Sequence, residues 1–149
     1  LIVQTDMKKV SSTAGMENIR TSPLWQQRIG AIPNKIKSLQ KYFEKKDFMN
    51  LGALIEEDCL NMHEVMRTQN PPLTYWNDHT VKIMQAVTQW RQAGLPVFFT
   101  IDAGPNVHLI CESKDEKKVF EKLKTLSGIK EIITNKVAEG TKLKNEHLF

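Results

Sequence analysis

The chain has 149 residues, 40% of them apolar and 26% charged, with a formal net charge of +4. That length fits one domain able to bury roughly 68–70% of its unfolded surface, and the composition excludes a disordered or fibrous protein. No apolar run approaches the ~20 residues of a membrane helix, and the lysines of KIKSLQK and KDEKK scatter along helices as a solvated face rather than a nucleic-acid-binding stripe.

Leu1 to Val10 reads as a strand of mixed burial, already under way at LIVQTD without an initiator methionine, so a piece of a longer protein is expected. Ser11-Ser12-Thr13-Ala14-Gly15 ends it in a turn or helix start. Ser22-Pro23 pairs an N-cap with proline at the first helical position, where a missing N–H costs nothing, and predicts a helix. Pro33 predicts a second start, with Ile36, Leu39 and Phe43 at helical spacing. Asp47 caps a long helix in which Phe48, Leu51, Ile55, Cys59, Met62 and Met66 recur every three or four residues, and Pro71-Pro72 stops its continuation. Asn77 or Asp78 opens the next helix, with Val81, Met84, Val87 and Trp90 on one face and Gly94 at a left-handed stop.

Leu95 to Ile101 and Val107 to Cys111 predict a β-hairpin across the Asp102–Asn106 connection. Ser113-Lys114-Asp115-Glu116 predicts a capping box for a helix carrying Val119, Leu123 and Leu126 and ended by Gly128. Ile129 to Val137 supplies a last strand, and the tail from Gly140 is polar and loose. The order implies an α+β, ferredoxin-like split β-α-β-β-α-β sheet, with extra helices in the first crossover and helices over one face. Cys59 and Cys111 lie far apart, without CxxC or zinc spacing, and read as reduced core residues. With no signal peptide visible, they predict a cytoplasmic protein.

The stretch FFTIDAGPNVHLI sets Asp102 inside an apolar run. It reads either as a turn residue or as a partly desolvated strand-end carboxylate, reactive toward a proton unless a cation pairs with it. Gly104 permits positive φ or close approach and Pro105 stiffens the loop, an arrangement longer and more rigid than a simple hairpin needs. In VSSTAGM, the Ser11 and Ser12 hydroxyls beside a glycine either face an anion or cap a helix. His63 reads as a packed or capping histidine, rather than a catalytic one, near the apolar stripe of its helix, and Trp25, Trp76 and Trp90 as core or domain-contact residues.

Read together, VSSTAGM, TSPLWQQRI, KDFMNLGALIEEDCLNMHEVM, PPLTYW and above all FFTIDAGPNVHLI closely resemble the diphosphomevalonate decarboxylase (mevalonate pyrophosphate decarboxylase) family. That family belongs to the GHMP superfamily of galactokinase, homoserine kinase, mevalonate kinase and phosphomevalonate kinase. The resemblance covers the C-terminal half of the family and implies that residues 1–149 are the C-terminal domain of a two-domain enzyme. The nucleotide-phosphate loop would lie in the N-terminal half. It implies ATP- and Mg2+-dependent conversion of mevalonate 5-diphosphate to isopentenyl diphosphate, ADP, phosphate and carbon dioxide. No metal ligand in this chain and no nucleic-acid or membrane partner follow from it, and a homodimer is left open.

By the same resemblance, Asp102 orients or deprotonates the substrate's 3-hydroxyl and Ser12 aligns phosphoryl donor with acceptor. Ser11, Met16, Ala103 and Gly104 would bind substrate, Met16 against its apolar side. Thr13 is a departure, standing where some bacterial members carry a basic residue that holds the diphosphate. A superfamily kinase that phosphorylates and stops would use Asp102 and Ser12 equally well. A nucleic-acid-binding or regulatory module on the same plan would need exposed sheet aromatics, for which the strands offer mainly Phe98 and Phe99.

Overall fold

Capping chemistry sets where two of the long helices begin. The structure, a computed structural model, describes residues 1–3 and 11–140. Its elements run α1 (Ser12–Met16), a 3₁₀ turn (Ile19–Thr21), α2 (Trp25–Glu44), α3 (Phe48–Thr68), α4 (Asp78–Gln92), β1 (Val97–Thr100), β2 (His108–Cys111) and α5 (Glu116–Leu123). Asp47 accepts from the Asn50 amide at 3.2 Å and starts α3. Asn77 and Thr80 form a reciprocal box at the head of α4. Gly94, at φ 88°, follows the end of α4 in the left-handed region.

The expected second start at Pro33 is not found, because α2 runs through that proline as one 20-residue helix. Arg28 and Lys35, on either side of Pro33, both reach Asp58 of α3. These pairings hold the helix across the position where proline removes a backbone donor. Its start also lies later than Pro23: Ser22 Oγ accepts from the Leu24 amide in a turn, and helix begins at Trp25. The expected capping box at Ser113 does not form. Asp115 is buried in a turn closed by its own amide on Glu112 O at 2.9 Å, and its side chain makes no capping bond to α5. The helix ends at Leu123, and turns carry the chain past Leu126 to Gly128.

β1 and β2 pair antiparallel, with Phe98 opposite Ile110 and Thr100 opposite His108. On the far side of β2, Leu1 and Val107 exchange both backbone bonds, at 2.6 and 3.1 Å. Ile2 then donates to Glu131 O at 2.9 Å and accepts from Lys130 at 2.8 Å. The lanes therefore lie in the order β1, β2, chain start, residues 130–131, an order the split β-α-β-β-α-β plan produces. Of the expected strand Leu1–Val10, residues 4–10 lie outside the described residues, as do positions 141–149 of the tail. The expected last strand, Ile129–Val137, contracts to the single bridge Ile2–Glu131. Residues 133–140 are exposed, Val137 fully so, and burial gives them no reason to extend the lane.

β1 forms one edge of the sheet, and α3 covers it with side chains rather than with another strand. Glu56 Oε2 accepts from the Phe99 amide at 3.2 Å. Cys59 Sγ accepts from the Ile101 amide at 3.1 Å, and His63 Nε2 lies 3.2 Å from Ile101 O. These three residues, at helical spacing on α3, satisfy edge groups that would otherwise stay unpaired. Gly52 allows the approach, since a Cβ there would overlap the Phe98 ring. Arg91 of α4 completes the lattice, bonding both Glu56 oxygens and Val97 O with its guanidinium 4.6 Å over Phe98. Val97, Phe99, Ile101 and Val107 join Ile83, Val87 and Trp90 of α4 and Val119 and Leu123 of α5 in the core. Cys59 and Cys111 are both free thiols, the first buried and the second half-buried. Among the described residues no helix is long and apolar enough to cross a membrane.

Candidate active site

The edge lattice ends where the candidate site begins. Ile101 is 1% exposed, and strand alternation turns the next side chain, Asp102, outward. Asp102 is exposed, contrary to the partial desolvation expected for it, because the buried slot at the strand end belongs to Ile101. Its Oδ1 accepts from the Gly104 amide at 3.3 Å and tightens the loop. Gly104, buried at φ 85°, is needed for its conformation and for space: a Cβ there would lie 3.2 Å from Ile101 Cγ2 and 3.4 Å from Tyr75 Cβ.

Behind this loop, Cys59 and His63 hold Ile101 from α3, and the His63 ring packs against Trp76 at 4.7 Å. The carbonyl can only accept, so Nε2 carries the imidazole proton. Burial holds His63 below the ordinary histidine range, outweighing the opposing pull of its Ile101 and Asp102 neighbours. The packed role read from the sequence agrees with this placement. Burial likewise pushes the Cys59 thiol up, so it stays protonated as a donor.

In front of the loop lies a cavity of about 250 Å³ lined by Met16, Met62, Met66, Tyr75, Asp102 and Ala103. The fold thus brings Met16, Asp102 and Ala103 together from positions nearly 90 residues apart. Gly104 supports the loop from behind. Ser11 is exposed, and its carbonyl accepts from the Tyr75 hydroxyl at 2.9 Å. Ser12 opens α1, but its side chain lies outside those described. Met62, Met66 and Tyr75 were missed. The two methionines satisfied the core periodicity of α3, where i and i+4 share a face, and nothing local sets Tyr75 in PPLTYW apart from a packed aromatic.

Three thioethers and a phenol ring make walls suited to a short branched carbon chain. Among the described residues a single carboxylate stands at one end and no lysine or arginine lines the cavity, so these walls offer no counter-charge to a diphosphate. A groove of about 330 Å³ between α2 and α3 shares Met62 and Asp102 with it. A larger one, about 560 Å³, lies between β2, α5 and residues 132–137, away from this chemistry. Among the described residues no group of three or more His, Cys, Asp or Glu is placed to hold a metal ion.

Comparison with known proteins gives concordant matches. The family model described as "Mevalonate 5-diphosphate decarboxylase C-terminal domain" matches residues 1–148. A diphosphomevalonate decarboxylase of Debaryomyces hansenii is 33% identical over 124 residues, covering 80% of this chain and 32% of that protein. The crystal structure of mevalonate diphosphate decarboxylase from Staphylococcus aureus superposes with a TM-score of 0.77 at 36% identity, over 82% of this chain and 37% of that one. A solved structure described as "MDDEF in complex with MVAPP, AMPPCP and Magnesium" superposes equally well, at 0.77 and 34% identity, over 81% of this chain and 38% of its own. This chain therefore spans about a third of the length of the relatives it matches.

Proposed function

We propose, because this chain belongs to the mevalonate 5-diphosphate decarboxylase C-terminal domain family, that it supplies the acceptor side of an ATP-dependent decarboxylase. The substrate is mevalonate 5-diphosphate and the products are isopentenyl diphosphate, ADP, phosphate and carbon dioxide. The observation that carries this reading is the cavity in which Asp102 and Ala103 meet Met16, Met62, Met66 and Tyr75.

Asp102 accepts the proton of the tertiary 3-hydroxyl as that oxygen attacks the terminal phosphorus of ATP. The phosphorylated oxygen then departs, and the electrons of the bond to the carboxylate carbon form the double bond as carbon dioxide leaves. Met16, Met62, Met66 and Tyr75 enclose the substrate's methyl-bearing carbons and keep water from the reacting face. Ser12 aligns the phosphoryl donor with the acceptor oxygen, Ser11 and Ala103 border the substrate, and Gly104, buried behind the loop rather than lining the cavity, acts on substrate only by shaping the backbone that carries Asp102.

A relative is described with AMPPCP, an ATP analogue, and magnesium, which supports ATP and Mg2+ as the cofactors. Mg2+ neutralises phosphate charge when bound and usually takes one or two carboxylates plus phosphate oxygens. Among the described residues Asp102 alone is too little to build that site, and no step above passes through it. The remaining two thirds of the relatives' length is the place for phosphate contacts that the described residues of this cavity do not supply. The two free thiols support a cytoplasmic setting.

The test is Asp102→Asn in an enzyme of the relatives' full length carrying this chain, assayed by carbon dioxide and phosphate release. The expected loss in kcat is ~10²–10⁴, as for a removed general base, with little change in melting temperature. Near-normal kcat overturns the assignment.

A further inference from the structure

The helix that carries Ser12 is too short to hold itself. Ser12–Met16 is five residues, with no acidic residue in its first turn and no basic one in its last. Its leading bond runs from the Gly15 amide to Ser11 O at 2.9 Å. Isolated helices shorter than ~12–15 residues are marginal in water, so its position is imposed by its surroundings.

Three contacts from the connection between α3 and α4 reach this short helix. Gln69, 4% exposed at the C-cap of α3, donates Nε2 to Gly15 O at 3.2 Å. Tyr75 donates its hydroxyl to Ser11 O at 2.9 Å. Gly15 is buried against the same connection, where a Cβ would overlap the Tyr75 hydroxyl and lie 2.7 Å from Leu73 Cδ2. One bond therefore falls just before the first residue of α1, and another within its last two.

The connection is itself fixed. Leu73 donates to Met66 O at 3.0 Å, the Asn70 amide donates to Thr21 Oγ1 at 2.7 Å, and Trp76 packs on the His63 ring. Its other side meets the Asp102 loop: the Tyr75 ring lines the cavity with Asp102, and Tyr75 and Trp76 close on the space beside Gly104. The same seven residues, 69–75, thus touch both the helix that begins with Ser12 and the loop that carries Asp102.

We infer that Tyr75 and Gln69 are positioning residues that clamp the Ser12 helix to the rest of the cavity and so fix the separation between Ser12 and Asp102. The inference rests on the function proposed above and deepens it. Phosphoryl transfer depends on alignment, and a shift of ~1 Å in a catalytic group can cost on the order of 10²-fold in rate. A clamp of this kind acts on kcat through Ser12, without adding a group that touches the reacting atoms.

The experiment uses the full-length enzyme and the variants Tyr75→Phe, Gln69→Met, Ser12→Ala, Asp102→Asn and the double variant Ser12→Ala/Tyr75→Phe. Tyr75→Phe keeps the ring that lines the cavity and removes only the hydroxyl. It is expected to lower kcat about tenfold or more, with KM for mevalonate 5-diphosphate and melting temperature little changed. Gln69→Met should act in the same direction. In the Ser12→Ala background, Tyr75→Phe should cost nothing further, since groups acting as a unit are non-additive.

Normal kcat in Tyr75→Phe overturns the inference, as does a loss in kcat matched by a loss of folding stability. An undiminished effect in the Ser12→Ala background also overturns it, because the hydroxyl would then act on substrate directly. If Asp102→Asn abolishes turnover while Tyr75→Phe is silent, the clamp alone fails. If Asp102→Asn leaves turnover normal, the underlying reading of the site fails with it.

Discussion

Glu56→Ala is the sharpest test of how α3 holds the sheet edge. Glu56 is 8% exposed, and its carboxylate binds Arg91 at 2.6 and 3.0 Å and the Phe99 amide at 3.2 Å. Truncation leaves a largely buried guanidinium without its counter-charge and a buried amide without an acceptor. Removing one partner of a buried pair costs about 3–5 kcal/mol, and an orphaned buried donor about 1–3 kcal/mol within that total. Arg91 keeps Val97 O at 2.9 Å and the Phe98 ring, and its side chain is 22% exposed. These residual contacts place the expected cost at about 3–4 kcal/mol, or roughly 6–16 °C in melting temperature for a domain of this size. Urea unfolding of the 149-residue chain, followed by circular dichroism, should show a lower midpoint with an unchanged slope. Glu56→Leu combined with Arg91→Met should recover most of the loss but not the share owed to the Phe99 amide. A cost below about 1 kcal/mol for Glu56→Ala would mean that the pair behaves like a surface ion pair and that α3 does not secure the edge through it.

Three further outcomes can be checked. Gly52→Ala gains up to about 1 kcal/mol in helix propensity, but its Cβ meets the Phe98 ring, and overpacking of about 1–3 kcal/mol should prevail; a more stable variant in the same unfolding assay refutes the close approach. His63 is held below its ordinary value by burial, so the unfolded chain takes up a proton first as pH falls below about 6.5. Stability should be full above that pH and decline as pH drops from there through the lower folded value, and His63→Gln should flatten this limb; an identical slope in the variant refutes the assignment. Gly104→Ala forces a side chain to φ 85° beside Ile101, costing about 1–2 kcal/mol in backbone strain alone. Full-length enzyme bearing it should lose kcat, and unaltered turnover would mean the loop geometry around Asp102 does not matter.

Sequence patterns located the features whose causes are local. Asp47, Asn77 and Gly94 each act within a few residues of themselves, and all three stand where the sequence puts them. Pro33 misled because proline at a first helical position and proline inside a helix look alike locally; the deciding contacts, Arg28 and Lys35 on Asp58, lie more than 20 residues away. Ser113 misled for a related reason: burial of Asp115 in a turn outweighed a favourable capping pattern. At the site, Asp102 stood out as a carboxylate inside an apolar run while Met16 and Ala103 came from resemblance, and the cavity groups all three. Tyr75, Met62 and Met66 were invisible because an apolar side chain facing a cavity and one facing a core share the same periodicity. The covering of the β1 edge was equally illegible, since Glu56, Cys59 and His63 meet their backbone partners at sequence separations of 38 to 43.

The lane order of the sheet has a consequence for how the polypeptide is assembled on the ribosome. β1, β2, α3 and α4 all fall between residues 48 and 111, so the covered edge and most of the core can close using neighbouring segments. Leu1 and Ile2, synthesised earlier, have partners at Val107, Lys130 and Glu131 that emerge more than 100 residues later. Contacts of such separation carry the loop-closure entropy that slows folding. Until they form, the backbone of β2 that faces the chain start is an open strand edge, available to any other nascent chain within reach. The inner lane of this sheet is made first and placed last.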